Sequence, residues 1–284
     1  MKLLALDKVM AYSPEQNFDK REEYHLALLK AVLVETEQEF GLFELTRSAV
    51  TMPRSRQALE LTKGNIINVI ASPPFKGQLN NNLRVAFPIR RGLSSYRIFL
   101  VMQQNVDLYK NANTLEQVKQ FKTGQKQYWS TEKILLHHGF NVVSTANYKG
   151  LFKMLALGRF DSLNRDIAEA YIELETFKKE IPQLSYDRHI ALYTYLPYYF
   201  YVSPKQLNLA KRLEFGLLKL HKSGQLDTLL FNYFAAYLHL AKLENRRIFY
   251  IDNINLSQDM YSHDQAYLLD LTKSQQSFEQ AAGF

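Results

Sequence analysis

The sequence predicts an α/β protein of two lobes, each a sheet flanked by helices, joined by two crossover strands. Strand-like and helix-like segments alternate over the first quarter of the chain, which is typical of an α/β sheet. The two most strand-like later segments, 97–103 and 198–203, enclose a further α/β segment. We therefore predict one discontinuous lobe from residues 1–98 and 204–284 and a second lobe from 99–203. A cleft between two such lobes is a frequent place for a ligand.

The first lobe is predicted to begin with an amphipathic helix and its neighbouring strands. Within residues 21–40, Leu26, Leu29 and Leu33 recur on one helical face, and Gly41 ends the helix. The other elements predicted here are a helix over 53–63 and strands at 3–10, 42–45, 49–52 and 66–71.

Local capping patterns begin two of the later helices. Thr114 followed by Gln117 is a capping-box pattern, which predicts a short helix to Phe121. Ser130 is the predicted N-cap of a helix that Gly139 ends. Further strands are predicted at 85–89, 97–103, 140–144, 189–195, 198–203 and 247–251. Further helices are predicted at 148–157, 164–179, 207–220, 226–243 and 264–282.

The composition is that of a folded globular protein. Hydrophobic residues make up 46% and charged residues 22% of the chain, and no stretch of 18 uncharged apolar residues predicts a membrane-spanning helix. The absence of cysteine excludes disulfides, thiol catalysis and cysteine-based zinc sites. The apolar start is short and is interrupted by Asp7, so it does not resemble a signal peptide. The sequence is therefore that of a cytoplasmic protein or of a mature exported form.

The basic charge of the chain suggests a nucleic-acid partner, but its distribution argues against one. The formal net charge is +7, yet the lysines and arginines are scattered along the sequence, with only isolated doublets such as Arg90-Arg91 and Arg246-Arg247. No basic run or nucleic-acid motif accompanies them. We therefore expect no nucleic-acid partner.

Catalytic and metal-binding patterns are missing from the sequence. There is no Gly-x-Ser-x-Gly, His-Glu-x-x-His or Walker pattern, and the adjacent His137 and His138 point to different sides of a helix. A carboxylate pair such as Asp19 with Asp161 across a cleft is the acid–base alternative, without a motif to support it. We expect no enzyme activity, no metal and no cofactor.

Polar residues at the start of the first helix are candidates for binding. Glu15, Asp19, Arg21 and Tyr24 lie at a predicted strand-to-helix junction. They either cap the helix and face solvent or form a wall that hydrogen-bonds a zwitterion. Arg56 on the next helix is either a surface residue or a clamp for a carboxylate.

The block from residue 123 to residue 170 is the second candidate region. A predicted strand ends there beside the starts of two helices, which brings backbone N–H groups and charged side chains to one rim. Gly124 and Gln125 form either a turn or an anion-accepting loop. Trp129, the only tryptophan, is either core packing or a stacking platform.

Arg165 is the charged residue of this block that most favours a binding role. It is predicted at a helix start, where a positive charge opposes the helix dipole, so a stabilising role for the charge is disfavoured there. Asp161 and Asp166 are the alternative partners of Arg165 within the fold.

The order and spacing of several motifs carry a family resemblance. Residues 87–93, Phe-Pro-Ile-Arg-Arg-Gly-Leu, precede Tyr96-Arg97, and Gly124-Gln125, Trp129 and Gly139 follow. The closest motifs after these are Tyr148, Leu151-Phe152, Met154-Leu155, Gly158-Arg159-Phe160-Asp161 and Arg165. In this pattern the chain resembles the type II periplasmic solute-binding proteins, specifically the extracellular solute-binding family 3 group that serves polar amino acids.

The resemblance implies a function for the whole chain. It implies a solute receptor of an ABC-type importer, which captures a small polar, amino-acid-like or carboxylate solute in the cleft by hinge closure. The implied partners are that solute and an inner-membrane permease. The implied location is the periplasm, with the signal peptide removed, and the implied state is a monomer. A sensing module of the same fold, without a transport role, is the alternative.

The resemblance also implies a set of ligand-binding residues. Proteins of the group usually carry an arginine after a Thr-Pro-Glu-like turn for the ligand carboxylate, whereas this chain has Ser72-Pro-Pro-Phe-Lys76 there. Lys76 is the substitute, and an ammonium group binds a carboxylate less specifically than a guanidinium does. The full predicted set is Glu15, Asp19, Arg21, Tyr24, Arg56, Lys76, Arg90, Gly124, Gln125, Trp129, Tyr148, Asp161 and Arg165.

Overall fold

Two β-sheets with helices around them organise the chain. The structure is a computed structural model, and it describes residues 6–12, 20–50, 52, 54–74, 77 and 79–272. No helix in these ranges is long and apolar enough to cross a membrane. The sheets have five and seven strands, and buried side chains from both join one large apolar cluster. The predicted α/β class is confirmed.

The five-stranded sheet is assembled from two separate parts of the chain. Its strand order is β2-β1-β3-β11-β4, with β1 parallel to β2 and β3, and β11 antiparallel to β3 and β4. The carboxyl ends of β1, β2 and β3 therefore lie at one edge. The strands are β1 (Asp7–Ala11), β2 (Phe43–Arg47), β3 (Val69–Ser72), β4 (Leu83–Arg84) and β11 (Tyr199–Val202).

Helix packing covers this first sheet. The helix α1 packs against both α8 and α9. Gly216 of α8 lies so close to α1 that an added Cβ would be 2.7 Å from Val32 Cγ1. A larger side chain at Gly216 would push the two helices apart. The helices are α1 (Lys20–Glu35), α2 (Glu37–Phe40), α3 (Arg54–Lys63), α8 (Leu207–Lys222) and α9 (Gln225–Ala241).

The seven-stranded sheet forms the second layer of strands. Its order is β12-β10-β5-β8-β6-β7, and β9 also pairs with β5. The parallel strands β6, β7 and β8 end at one edge, where the helices α5, α6 and α7 begin. The strands are β5 (Tyr96–Met102), β6 (Lys122–Lys126), β7 (Asn141–Thr145), β8 (Ser162–Asp166), β9 (Leu184–Tyr186), β10 (Ile190–Tyr193) and β12 (Arg247–Tyr250).

Capping interactions fix the starts of several helices around this second sheet. The predicted capping box is confirmed, since Thr114 Oγ1 accepts from the Gln117 amide and the Gln117 side chain accepts from the Thr114 amide. The Asn147 side chain caps α6 in the same way. The helices are α4 (Leu115–Lys119), α5 (Ser130–His137), α6 (Tyr148–Ala156), α7 (Ile167–Phe177) and α10 (Gln258–Asp264).

Two crossing segments carry the chain between the two sheets, and the hinge closure implied by the family resemblance would bend them. Residues 85–95 lead from β4 to β5, and residues 194–198 lead from β10 to β11. The predicted lobe boundaries differ from the strand pairing for two strands. The strand β12, predicted in the first lobe, pairs in parallel with β10 in the second sheet. The strand β11, predicted in the second lobe, pairs with β3 and β4 in the first sheet, and the predicted boundary at residue 98 falls within β5.

Several predicted elements need correction. Gly124 and Gln125 lie within β6 and not in a loop, and Arg165 lies in β8 and not at a helix start. The helix α5 begins at Ser130, so Ser130 is not its N-cap. Residues 85–89 pair only irregularly with β11 because the Phe87 amide donates to the Val85 carbonyl and not to β11. Residues 49, 50 and 52 form no strand. The predicted closing helix over 264–282 is wrong in its described part, because α10 ends at Asp264 and only a short 3-10 turn, Gln265–Tyr267, follows it. Residues 273–284 lie outside the described residues.

Candidate functional site

An open cavity lies at the edge of the first sheet where β1 and β3 end. It has a volume of about 30 Å³, is open to solvent and lies beside α1, with Leu26, Leu29 and Phe200 as apolar lining. Glu22, His25 and Arg47 bring polar groups to the same cavity. The first sheet therefore supplies a small open recess with both apolar and ionisable lining.

Arg90 lies beside this cavity, between the two crossing segments. It is 2% exposed, and its Nε donates to His25 Nε2 at 3.0 Å while its Nη1 donates to Ser94 Oγ at 2.9 Å. The guanidinium also lies 3.8 Å from the ring centre of Tyr198, on which His25 stacks. Because a guanidinium only donates, His25 Nε2 is an unprotonated acceptor, and the imidazole is neutral in this arrangement.

The second sheet faces Arg90 with polar groups from β5 and β8. Arg97 Nε donates to Asn164 Oδ1 at 2.6 Å, and Arg97 Nη2 donates to the Asn164 carbonyl at 3.3 Å. Asp166 caps α7, since its Oδ1 accepts from the Glu169 amide at 2.8 Å. Asp166 Oδ2 lies 3.9 Å from Arg90 Nη1, an ion pair longer than a hydrogen bond. This pair joins a crossing segment to the second sheet.

A second group of paired charges surrounds Arg165. Its Nε donates to both carboxylate oxygens of Glu173 at 2.8 and 2.9 Å, and its Nη2 lies 3.0 Å from Glu169 Oε2. The guanidinium stacks 4.0 Å from the ring centre of Trp129, and the Tyr148 hydroxyl donates to Glu173 Oε1 at 2.8 Å. Burial lowers the pKa of Arg165, but Glu169 and Glu173 outweigh it, so the pKa is raised and the side chain stays charged.

Together the two groups form a buried chain of alternating charges. Arg97 of β5 is the register partner of Asp166 of β8, and burial lowers the pKa of Arg97 while the neighbouring Glu169 and Asp166 oppose that shift. Burying an unpaired charge is costly, so charges of opposite sign lie next to each other here. The six members are Arg90, Arg97, Arg165, Asp166, Glu169 and Glu173, three of each sign.

The structure thus brings five predicted residues into or beside one charged network. Trp129 packs against both Arg165 and Tyr148, and Arg90 lies at the other end of the chain of charges. Gln125 lies next to this network, since its Nε2 is 3.4 Å from the Asn164 carbonyl and its Oε1 accepts from the Thr131 hydroxyl.

Other predicted residues lie apart from the network. The buried Tyr24 donates its hydroxyl to the Ile89 carbonyl at 2.5 Å, and burial raises its pKa. Arg56 is exposed on α3. Gly124 packs against the Phe160 ring, and Asp161 accepts from the Lys122 amide at 2.7 Å. The positions of Glu15, Asp19 and Lys76, and the side chain of Arg21, lie outside the described residues.

Sequence reasoning missed five residues of the site. These are His25, Arg97, Asn164, Glu169 and Glu173. Asp166 was considered only as a partner of Arg165, whereas it pairs with Arg90 and caps α7. An arginine at the start of the apolar run Arg97–Met102 was the available signal, because a charge in a buried strand needs a partner.

Comparison with known proteins finds relatives by fold and not by sequence. No protein-family model matches the chain, and no curated protein matches it in sequence. An ancestral arginine-binding protein bound to arginine superposes with a TM-score of 0.55 at 17% identity, over 82% of this chain and 99% of the other. An arginine transport-system periplasmic binding protein from Legionella pneumophila gives 0.57 at 12% identity, over 81% and 100%.

Two further solved structures extend this comparison. An amino acid ABC transporter substrate-binding protein from Streptococcus pneumoniae, bound to L-arginine, gives a TM-score of 0.55 at 13% identity, over 80% of this chain and 94% of the other. An ancestral amino acid-binding protein described as a precursor of cyclohexadienyl dehydratase gives 0.54 at 14% identity, over 80% and 95%. The chain therefore has the two-lobed α/β fold of amino-acid ABC transporter substrate-binding proteins, and at the level of fold the predicted resemblance is confirmed.

Proposed function

We propose that this protein is the solute-binding receptor of an ABC-type importer. It captures a small polar, amino-acid-like or carboxylate-bearing solute between its two lobes and closes over the solute by hinge bending. The observation that carries the proposal is the pair of Arg90 and Asp166, which bring opposite charges together from the hinge and from the second sheet, 3.9 Å apart.

The chemistry of this pair suits a solute with both a carboxylate and an ammonium group. A guanidinium presents several donors in one plane, which match the two oxygens of a carboxylate. The Asp166 carboxylate accepts from an ammonium group. Since the Arg90–Asp166 contact is longer than a hydrogen bond, a zwitterion that inserts there would replace it with two shorter contacts, one to each side chain.

The open cavity of the first sheet borders the space for the remainder of such a solute. Its lining by Leu26, Leu29 and Phe200 suits an apolar stem, and Arg47 lies at the cavity for a polar end group. The solved structures of similar fold that were determined with arginine or glutamine are consistent with a solute of this size.

Several further properties belong to the proposal. The receptor acts outside the cytoplasm, as a monomer, and delivers its solute to a membrane permease. It has no enzymatic role, because the candidate base of the site, His25 Nε2, already accepts a hydrogen bond from Arg90. The lobe boundaries follow the two crossing segments, with β12 counted in the second lobe.

A thermal-shift screen tests the proposal. Amino acids, organic acids, short peptides and sugars are each added to the purified protein, and a solute that binds only the folded state raises its melting temperature. At a concentration of 100 times Kd the stabilisation is about 2.7 kcal/mol, which is easily measured. If no solute in the screen stabilises the protein, the receptor function is refuted.

Arginine substitutions then locate the carboxylate clamp. Arg90→Ala is expected to abolish the shift, while Arg56→Ala tests the predicted alternative on α3. Arg159→Ala is the matched control, because Arg159 is exposed on the second sheet's side of the molecule and makes no contact with the charged network. A shift that survives Arg90→Ala but not Arg56→Ala would move the clamp to α3.

A further inference from the structure

The chain crosses between the sheets again after the two crossing segments. The helix α9 packs on α1 and α8 beside the first sheet, and β12 follows it in the second sheet. Residues 251–271, which we name the brace, then run from β12 back toward the first sheet. They pass over the segments on which any hinge motion between the lobes depends.

The brace is attached to the second crossing segment through a buried carboxylate. Asp264 is 0% exposed and accepts from the Tyr195 hydroxyl at 2.6 Å and from the Tyr199 hydroxyl. Tyr195 lies in the crossing segment, and Tyr199 is the first residue of β11 in the first sheet. Asn253 Nδ2 adds a bond of 2.8 Å to the Tyr195 carbonyl. The Asp264 carboxylate thus joins the brace both to the second crossing segment and to the start of β11.

The brace is attached to the first crossing segment by backbone and side-chain contacts. Arg91 Nε donates to the Tyr267 carbonyl at 2.7 Å, and the Leu269 amide donates to the Arg91 carbonyl at 3.1 Å. The Tyr267 ring packs 4.7 Å from the ring centre of Phe87. The Arg91 guanidinium also pairs with Asp227 of α9. These contacts hold the far end of the brace against the hinge and the first sheet.

We propose that the brace limits hinge opening and thereby sets the balance between open and closed lobes. Hinge bending changes backbone angles at a few residues of the crossing segments. A third segment bonded to both of them must stretch or detach when those angles change. Opening therefore costs the Asp264 and Arg91 contacts, and the brace stabilises the arrangement of the lobes in this structure against opening. The brace acts without a solute, so a negative result in its test would leave the receptor proposal unaffected, and the reverse also holds.

Spin-label distances in the unliganded full chain test the brace. The chain contains no cysteine, so Glu44→Cys in β2 and Asn141→Cys in β7 place two labels at exposed positions on different sheets without background labelling. Asp264→Ala in this background removes the acceptor of both tyrosine hydroxyls. Since a hydrogen bond to a charged group contributes about tenfold or more to an equilibrium, the open-to-closed ratio is expected to rise by about tenfold or more. The distance distribution then shifts to longer values.

Two further variants keep the result decisive. Asn253→Ala removes an independent attachment and is expected to shift the distribution in the same direction by a smaller amount; it decides the matter if Asp264→Ala does not fold. Asp259→Ala, an exposed acid on the same helix, is the control and should leave the distance unchanged. An unchanged distribution in the folded Asp264→Ala protein, or in Asn253→Ala alone when the former does not fold, overturns the brace.

Discussion

The two walls of the proposed cleft are built on different principles. The wall from the first sheet is a small open cavity whose lining is partly apolar and includes Tyr12, Glu22, His25 and Arg47. The wall from the second sheet places Arg97, Arg165 and their carboxylate partners in buried positions around the ends of β5 and β8. Charge is therefore concentrated on one side of the cleft, and space for a solute on the other.

This difference separates two tasks of recognition. Buried ion pairs contribute little net stability, because removing two charges from water costs about as much as their attraction returns. In the proposed receptor, a wall made of them serves recognition of a charged solute. An apolar recess is suited to selecting the size and shape of a solute. Substitutions in the second wall should therefore disturb electrostatics, and we order them from the largest expected effect.

Removing Arg165 should have the largest effect on stability. Arg165→Ala leaves Glu173 buried without its bidentate partner, and breaking such a pair costs about 3–5 kcal/mol. Urea denaturation of the wild-type and variant proteins measures this loss. The exposed Arg159→Ala should change stability by less than about 0.5 kcal/mol. A loss from Arg165→Ala as small as that of the control would show that the second wall does not depend on its charges.

The next prediction concerns the pH dependence of folding stability at Asp187. Burial of this carboxylate outweighs the favourable charges and hydrogen bonds around it. Asp187 is 0% exposed, and this burial raises the pKa of its carboxyl group to about 6. The nearby Arg246 donates through Nη1 to the backbone carbonyl of Asp187 and not to its side chain. The folded protein then binds a proton more tightly than the unfolded chain does, so stability falls as pH rises from about 4 to about 6. The expected loss is about 2–3 kcal/mol.

The comparison variant for this pH effect is Asp187→Asn. An amide keeps an acceptor for the His189 amide and carries no charge, so the variant should lack the decline between pH 4 and 6 that the wild type shows. Equal pH profiles of unfolding free energy for the two proteins would contradict the assignment to Asp187.

Gly124 tests packing in the second wall and should have the smallest effect of the three. A Cβ at this position would lie 2.3–2.7 Å from atoms of the Phe160 ring, so Gly124→Ala is expected to cost about 1–3 kcal/mol through overpacking. Thermal unfolding measures this cost. Adding Phe160→Leu should recover part of the loss by making room. If Gly124→Ala is neutral, the contact with Phe160 does not determine the position.

The sequence predicted the architecture better than it predicted the site. Alternation of elements and the Thr114 capping box were sufficient for the α/β class, because they are local patterns. The prediction of a helix start at Arg165 is wrong because the polar residues of β8 hide the apolar pattern of a buried strand. The N-cap of α7 is Asp166, the residue after Arg165. Glycine in β6 was read as a loop, although it serves close packing.

The site itself depends on contacts between residues that are far apart in sequence. Arg90 was predicted from a motif, but no local pattern shows that His25 and Asp166 lie beside it. Those contacts arise when two sheets and two crossing segments come together. Pairwise contacts of this kind are a property of the fold and not of any window of the sequence.

Calorimetric titration of the best solute from the screen tests the central claim most directly. The wild type, Arg90→Ala and Asp166→Asn are each titrated, with Arg159→Ala as the control. Removing one partner of a buried charged contact costs about 2–5 kcal/mol of binding energy, so both site variants should bind at least about thirtyfold more weakly while the control binds normally. Wild-type affinity in both Arg90→Ala and Asp166→Asn would contradict the account.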